Sequence, residues 1–163
     1  MISRRALLLV LAAAGCGYRG DVPAQRVPGR TPQIGLTVAA RNERQAQLLR
    51  DYLEVALASS GAAEKITGVA LRLEVSSQQL AIRRDETPSR GRLTATAQYV
   101  VAPRPTEPGV EPRQFGGFVR ATEGYNFIQG EYFATDSSRE AAEQRLMREI
   151  ADQIARRIEA RTF

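Results

Sequence analysis

Apolar residues alternate at Ile34, Leu36 and Val38, the period of a strand that buries one face. The period then lengthens. Ala46, Leu49, Tyr52 or Leu53, and Ala56 recur at three- and four-residue steps, so residues 43–59 read as an amphipathic helix. Asn42 is its expected N-cap, with Gln45 three residues on in capping-box position. Ser59-Ser60-Gly61 ends it, with Gly61 as the left-handed residue past the last turn. Strict alternation returns at Val69, Leu71, Leu73 and Val75, which predicts a second strand. The next apolar residues, Leu80 and Ile82, have the other parity. Either an extra residue bulges within 76–79, or Leu80 and Ile82 lie on the opposite face of the sheet, where a partner could cover them.

Residues 85–89 (Asp-Glu-Thr-Pro-Ser) read as a turn. Leu93, Ala95, Ala97, Tyr99 and Val101 alternate beyond it, giving a third strand that forms a long hairpin with the second. Pro103, Pro105, Pro108 and Pro112 define a loop over 102–113. The aromatic-rich stretch 115–129 reads as a fourth strand, with Gly116, Gly117 and Gly124 as signs of a bulge or bend. A second helix is expected from Asp136-Ser137, where Ser137 and Glu140 have capping-box spacing, to about residue 160. Leu146, Ile150, Ile154 and Ile158 form its buried stripe. Its other face mixes Arg with Glu140, Glu143, Glu149, Asp152 and Glu159, the pattern of a solvated salt-bridge face.

The order β-α-β-β-β-α predicts an α+β fold, a two-layer sandwich: a four-stranded mixed sheet with two helices on one face. The first and second strands would pair in parallel through a right-handed crossover. Thr94, Thr96, Gln98 and Val100 would then lie on the face away from the helices.

The chain begins differently. Arg4 and Arg5 precede a nine-residue apolar stretch, residues 6–14. A bilayer core about 30 Å thick needs roughly 20 residues to cross, so this is the layout of a signal peptide rather than a span. Ser3-Arg4-Arg5 is faintly like a twin-arginine signal, but an ordinary n-region is the simpler reading. Ala13-Ala14-Gly15-Cys16 resembles a bacterial lipobox, in which the Cys becomes the acylated first residue of the mature chain. The alternative is an ordinary signal peptide with an incidental Cys. Acyl chains contribute about 0.8 kcal/mol per buried CH₂, enough for two or three to hold a domain at a membrane. Gly17 after the Cys, in place of Asp, fits export to the outer membrane. The expected organisation is a signal peptide over 1–15, a lipidated N-terminus and Pro/Gly tether over 16–32, and one domain over 33–163.

Composition narrows the chemistry. The 163 residues include one Cys, no His and no Trp. Ser-His-Asp catalysis, His-ligated metal or haem, intrachain disulfides and Cys-rich zinc sites are excluded. No cofactor is expected. Residues 1–15 carry two Arg and no acid, so the formal charge of +5 falls to +3 for the mature chain, too little basic density for a nucleic-acid binder. The densest basic patch is Arg83, Arg84, Arg90 and Arg92 around the hairpin tip, with Arg113 and Arg120 as outlying additions. Paired guanidinium N–H groups suit phosphates. The plainer reading is a solvated turn, partly neutralised by Asp85 and Glu86. That carboxylate pair sits in a polar turn and has no feature of an acid–base site. Phe115, Phe118, Tyr125, Phe127, Tyr132 and Phe133 are either core beneath the helices or, in part, an anchor for a protein partner. Phe115, Phe118, Tyr125 and Phe127 are the partner-interface candidates.

Taken in order, these pieces resemble a family. Cys16-Gly17-Tyr18-Arg19 is similar to the CGFR start of the LPS-assembly lipoprotein LptE, in its short alphaproteobacterial form, with Tyr for Phe. Similar segments follow: Ile34-x-Leu36-x-Val38 leading to Arg44-x-x-Gln47-Leu48-Leu49-x-x-Tyr52-Leu53; Arg90-x-x-Leu93-x-x-x-Ala97-x-Tyr99; and Tyr125-Asn126 with Tyr132-Phe133-Ala134 running into Leu146, Ile150 and Ile154. The resemblance implies a non-enzymatic outer-membrane lipoprotein on the periplasmic side. It would plug the LptD β-barrel and assist insertion of lipopolysaccharide into the outer leaflet. It also implies lipopolysaccharide binding through basic residues, for which Arg83, Arg84, Arg90 and Arg92 are the candidates by position. The competing reading is another accessory lipoprotein, an auxiliary subunit of a lipid ABC transporter or a secretin pilotin.

Overall fold

A computed structural model of the chain describes residues 34–82, 88–127 and 131–162. The signal peptide, Cys16, the tether, Arg83, Arg84 and most of the hairpin turn lie outside them. The first strand, β1, is Gly35–Ala40, and helix α1 follows at Glu43–Ser59. The Asn42 side chain accepts from the Arg44 N–H, as an N-cap should. Gln45 does not complete a capping box; it turns outward and donates to Glu143 of the second helix. Gly61 takes the left-handed conformation, φ 71°, and leads into a single 3-10 turn at Ala62–Glu64.

Strands β2 (Ile66–Ile82), β3 (Pro88–Pro103) and β4 (Phe115–Asn126) complete a sheet of order β1-β2-β3-β4. β1 and β2 run parallel, joined through α1, and the other pairs are antiparallel. Helix α2 is Tyr132–Thr162. The α+β architecture and its β-α-β-β-β-α order match the sequence pattern. Both helices pack on one face. Their buried stripes, Leu49, Leu53 and Leu57 of α1 and Leu146, Ile150, Ile154 and Ile158 of α2, meet Val69, Leu71, Leu73, Leu93, Tyr99 and Val101 of the sheet. Arg44 and Glu140 pair across the two helices near their N-terminal ends.

Several boundaries differ from expectation. Pro88 and Pro103 are the first and last residues of β3 rather than loop residues, positions where a missing N–H costs the ladder little. β4 ends at Asn126, short of residue 129, and its register with β3 is unbroken from Phe115 to Asn126. Its glycines therefore mark no bulge. Gly117 lies opposite Tyr99, and a Cβ there would stand 2.9 Å from the tyrosine hydroxyl. Pairing also continues evenly through Ser76, Ser77, Gln78 and Gln79, and shifts only past them, between Gln79 and Ala81 and again between Ala81 and Ile82. Leu80 is thus the irregular residue, and it is exposed. Helix α2 starts at Tyr132, a turn before the expected Ser137–Glu140 box. The Thr135 N–H already bonds to the Glu131 carbonyl, Glu140 pairs with Arg44, and the Ser138 hydroxyl accepts from the Asn126 N–H of β4.

β4 is an edge strand, and α2 guards part of it. Arg157 donates to the Phe118 carbonyl at 2.6 Å and Arg161 to the Gly116 carbonyl at 3.4 Å. Such cover blunts the unpaired edge groups that otherwise template association.

Candidate functional site

Alternation along the hairpin decides what each face offers. Between Gly68 and Gln79 of β2, from Arg90 along β3, and along β4, odd-numbered residues point to the helices. Even-numbered ones form the outer face, which no element covers among the described residues. Arg90 and Arg92 are both on that outer face and exposed, with Arg92 between Gln78 and Gly124 and Arg90 opposite Asn126. Neither is in an ion pair among the described residues. Arg120 shares the face but lies opposite Thr96, four residues along β4 from Gly124, roughly 13 Å away at strand rise. The row between holds Thr94 and Thr122, whose hydroxyls are 3.5 Å apart. Arg113 does not extend the patch. It sits in the loop entering β4, at the opposite end of the hairpin from Arg90.

Farther from the tip the outer face turns apolar. Ala70, Val100, Gly116 and Phe118 line a shallow hollow of about 530 Å³ beside Arg72 and Gln98. Phe118 is 66 % exposed and Val100 48 %. Arg72 is held by Glu74 at 3.5 Å.

The four aromatic interface candidates are divided by this geometry. Phe118 alone projects from the outer face. Phe115 is half-buried at the core's edge, with the Arg161 guanidinium 5.5 Å from its ring centroid, a cation–π contact. Tyr125 is buried at 7 % exposure, so it serves packing rather than an outward contact. Its ring lies over Gly91, and its hydroxyl is 3.1 Å from that of Ser77. Phe127 is half-buried against Tyr125, ring centroids 5.2 Å apart.

Sequence reasoning left Tyr132 and Phe133 off the interface candidates, yet they are 90 % and 92 % exposed. Their phase on an earlier-starting α2 was the available signal. Tyr132 lies 18 residues before Ile150, about five turns, so it continues the buried stripe past the point where the sheet meets it. With Tyr125 and Phe127 they line a cleft of about 810 Å³, which also takes in Asp136 and Arg139. Among the described residues no group of acidic, Cys or His side chains could hold a metal, and no helix is long and apolar enough to cross a membrane.

A family model described as LptE, lipopolysaccharide-assembly, matches residues 32–158. No curated protein matches. Among solved structures, a minor lipoprotein from Acinetobacter baumannii is 16 % identical, with 82 % of this chain and 95 % of that one covered and a TM-score of 0.52. The rare lipoprotein B from Shewanella oneidensis is also 16 % identical, over 78 % of this chain and 95 % of that one, with a TM-score of 0.46. The Acinetobacter likeness extends to the fold.

Proposed function

The chain belongs to the LptE family of lipopolysaccharide-assembly lipoproteins, and on that premise we propose that it is anchored at the outer membrane through Cys16 and seats in the LptD β-barrel. There it assists insertion of lipopolysaccharide into the outer leaflet, acting by binding and without catalysis. The family match carries this reading, because residues 32–158 take in all four strands and α2 to within its last turn. The uncovered outer face supports it. Exposed Phe118 and Val100 offer an apolar anchor for the barrel wall. Arg90 and Arg92, with Arg83 and Arg84 across the turn at residues 85–89 in the sequence, offer guanidinium groups for the phosphates of lipopolysaccharide.

Depletion of the protein in living cells tests the proposal. Loss of lipopolysaccharide from the cell surface, with its accumulation inside, is the expected outcome. Unchanged surface display on full depletion would reject the reading.

A further inference from the structure

The cleft at the hairpin end of the interlayer has no part in the anchoring or barrel-seating just described. We propose that it is a saccharide site: it holds a sugar ring from the glycan portion of lipopolysaccharide, on the face of the hairpin opposite Arg90 and Arg92. The inference rests on the assembly reading for the identity of the glycan, but its evidence is separate.

The two layers stop packing before they end. On the sheet side the inner row changes from Val75 and Ala95 to Ser77 and then Gln79, both exposed. On the helix side the stripe that is fully buried at Leu146 and Ile150 continues to Tyr132, which is left 90 % exposed among the described residues. A tyrosine in core phase at 90 % exposure is an unfilled contact, and Phe133 beside it doubles the apolar area left in water.

The volume, about 810 Å³, falls in the ~300–1,000 Å³ range of small-ligand sites. Its walls combine ring faces with hydrogen-bonding groups. Tyr132 and Phe133 stand on one side, and the tilted Tyr125–Phe127 pair on the other. Asp136, Arg139, Ser77 and Gln79 also border it, and among the described residues neither Asp136 nor Arg139 is in an ion pair. A pyranose has this dual character: C–H faces that lie on aromatic rings, and a rim of hydroxyls that both donate and accept. A carboxylate, a guanidinium and an amide together answer both roles of the hydroxyl. An acyl chain fits worse, because covering Asp136 and Arg139 with hydrocarbon would strip water from two charges and return no hydrogen bond.

The test uses the full-length lipoprotein in mild detergent and, as probe, a deacylated and dephosphorylated core oligosaccharide of lipopolysaccharide. With its phosphates removed and its sugar-acid carboxylates reduced to alcohols, the probe has no charge-based attraction to the arginines. Aromatic-ring NMR follows the titration. The proposal expects the ring signals of Tyr132, Phe133 and Phe127 to shift, with affinity weakened about tenfold or more, 1.4 kcal/mol, in a Tyr132→Ala/Phe133→Ala variant. Both side chains are exposed, so the helix should persist, and circular dichroism checks that it does. The site is overturned if no ring signal shifts, if the double-alanine variant binds equally well, or if octanoate moves these rings and the oligosaccharide does not. Failure of the oligosaccharide alone, with barrel association and surface display intact, removes the cleft and leaves the proposed function standing. Loss of those two as well removes the function itself.

Discussion

Two tyrosines set the inner surface of the hairpin by lying over glycines on the neighbouring strand. Tyr99 covers Gly117, and Tyr125 covers Gly91, where a Cβ would stand 2.2 Å from the ring carbon bearing the hydroxyl. In the sequence Gly117 reads as the sign of a bulge or bend in β4, and Gly91 has no role. Their role depends on a residue across the ladder, and a single-strand pattern carries no such information. Gly91→Ala should therefore destabilise the domain by about 1–3 kcal/mol, read from urea unfolding. The cost should shrink in a Tyr125→Leu background, a coupling that a backbone effect alone would not produce. Equal cost in both backgrounds would contradict the contact. Cys16 makes a covalent prediction at the same scale: Cys16→Ser should abolish palmitate labelling of the protein, and persistent labelling would place the lipid elsewhere.

Among the elements, those with long, clean periodicity were the legible ones. Helix α1 occupies 43–59 as its stripe and cap indicate, and β2 and β3 form the expected hairpin. The start of α2 was not legible, because Ser137 and Glu140 imitate a helix start, whereas Glu140 pairs with Arg44 of α1 and the adjacent Ser138 accepts from Asn126 of β4. The same difficulty hid the cleft, since it exists only once α2 begins at Tyr132. The hairpin tip carries its own prediction. Changing Arg83, Arg84, Arg90 and Arg92 to Glu should weaken lipopolysaccharide binding, while the thermal midpoint stays within a few degrees for the exposed pair Arg90 and Arg92. Binding in the unaltered protein should also weaken as salt rises, since exposed charges are screened. Undiminished binding by the four-Glu variant would remove the patch from the account.

For the molecule as a whole, the fold separates two tasks by the faces of one sheet. The inner face is committed to the helices and supplies stability; Leu53 and Ile150 are each fully buried there. The outer face is left with residues of different character along its length: Arg90 and Arg92 near the tip, a Thr-rich row, then Val100 and Phe118. Alternation made that face readable from the sequence, down to Val100. Phe118 was a candidate for its aromatic ring alone, because Gly116 and Gly117 before it blur the alternation and its phase had to be taken from the whole of β4. The central claim is that this domain works as a membrane-tethered component seated in an outer-membrane barrel. The most direct measurement is to solubilise the outer membrane in mild detergent, isolate the lipoprotein through a C-terminal tag, and identify by mass spectrometry what stays bound. The LptD barrel in a stable one-to-one complex is the expected outcome. Recovery of the lipoprotein alone, with the barrel intact in the same extract and free of it, would overturn the barrel seating.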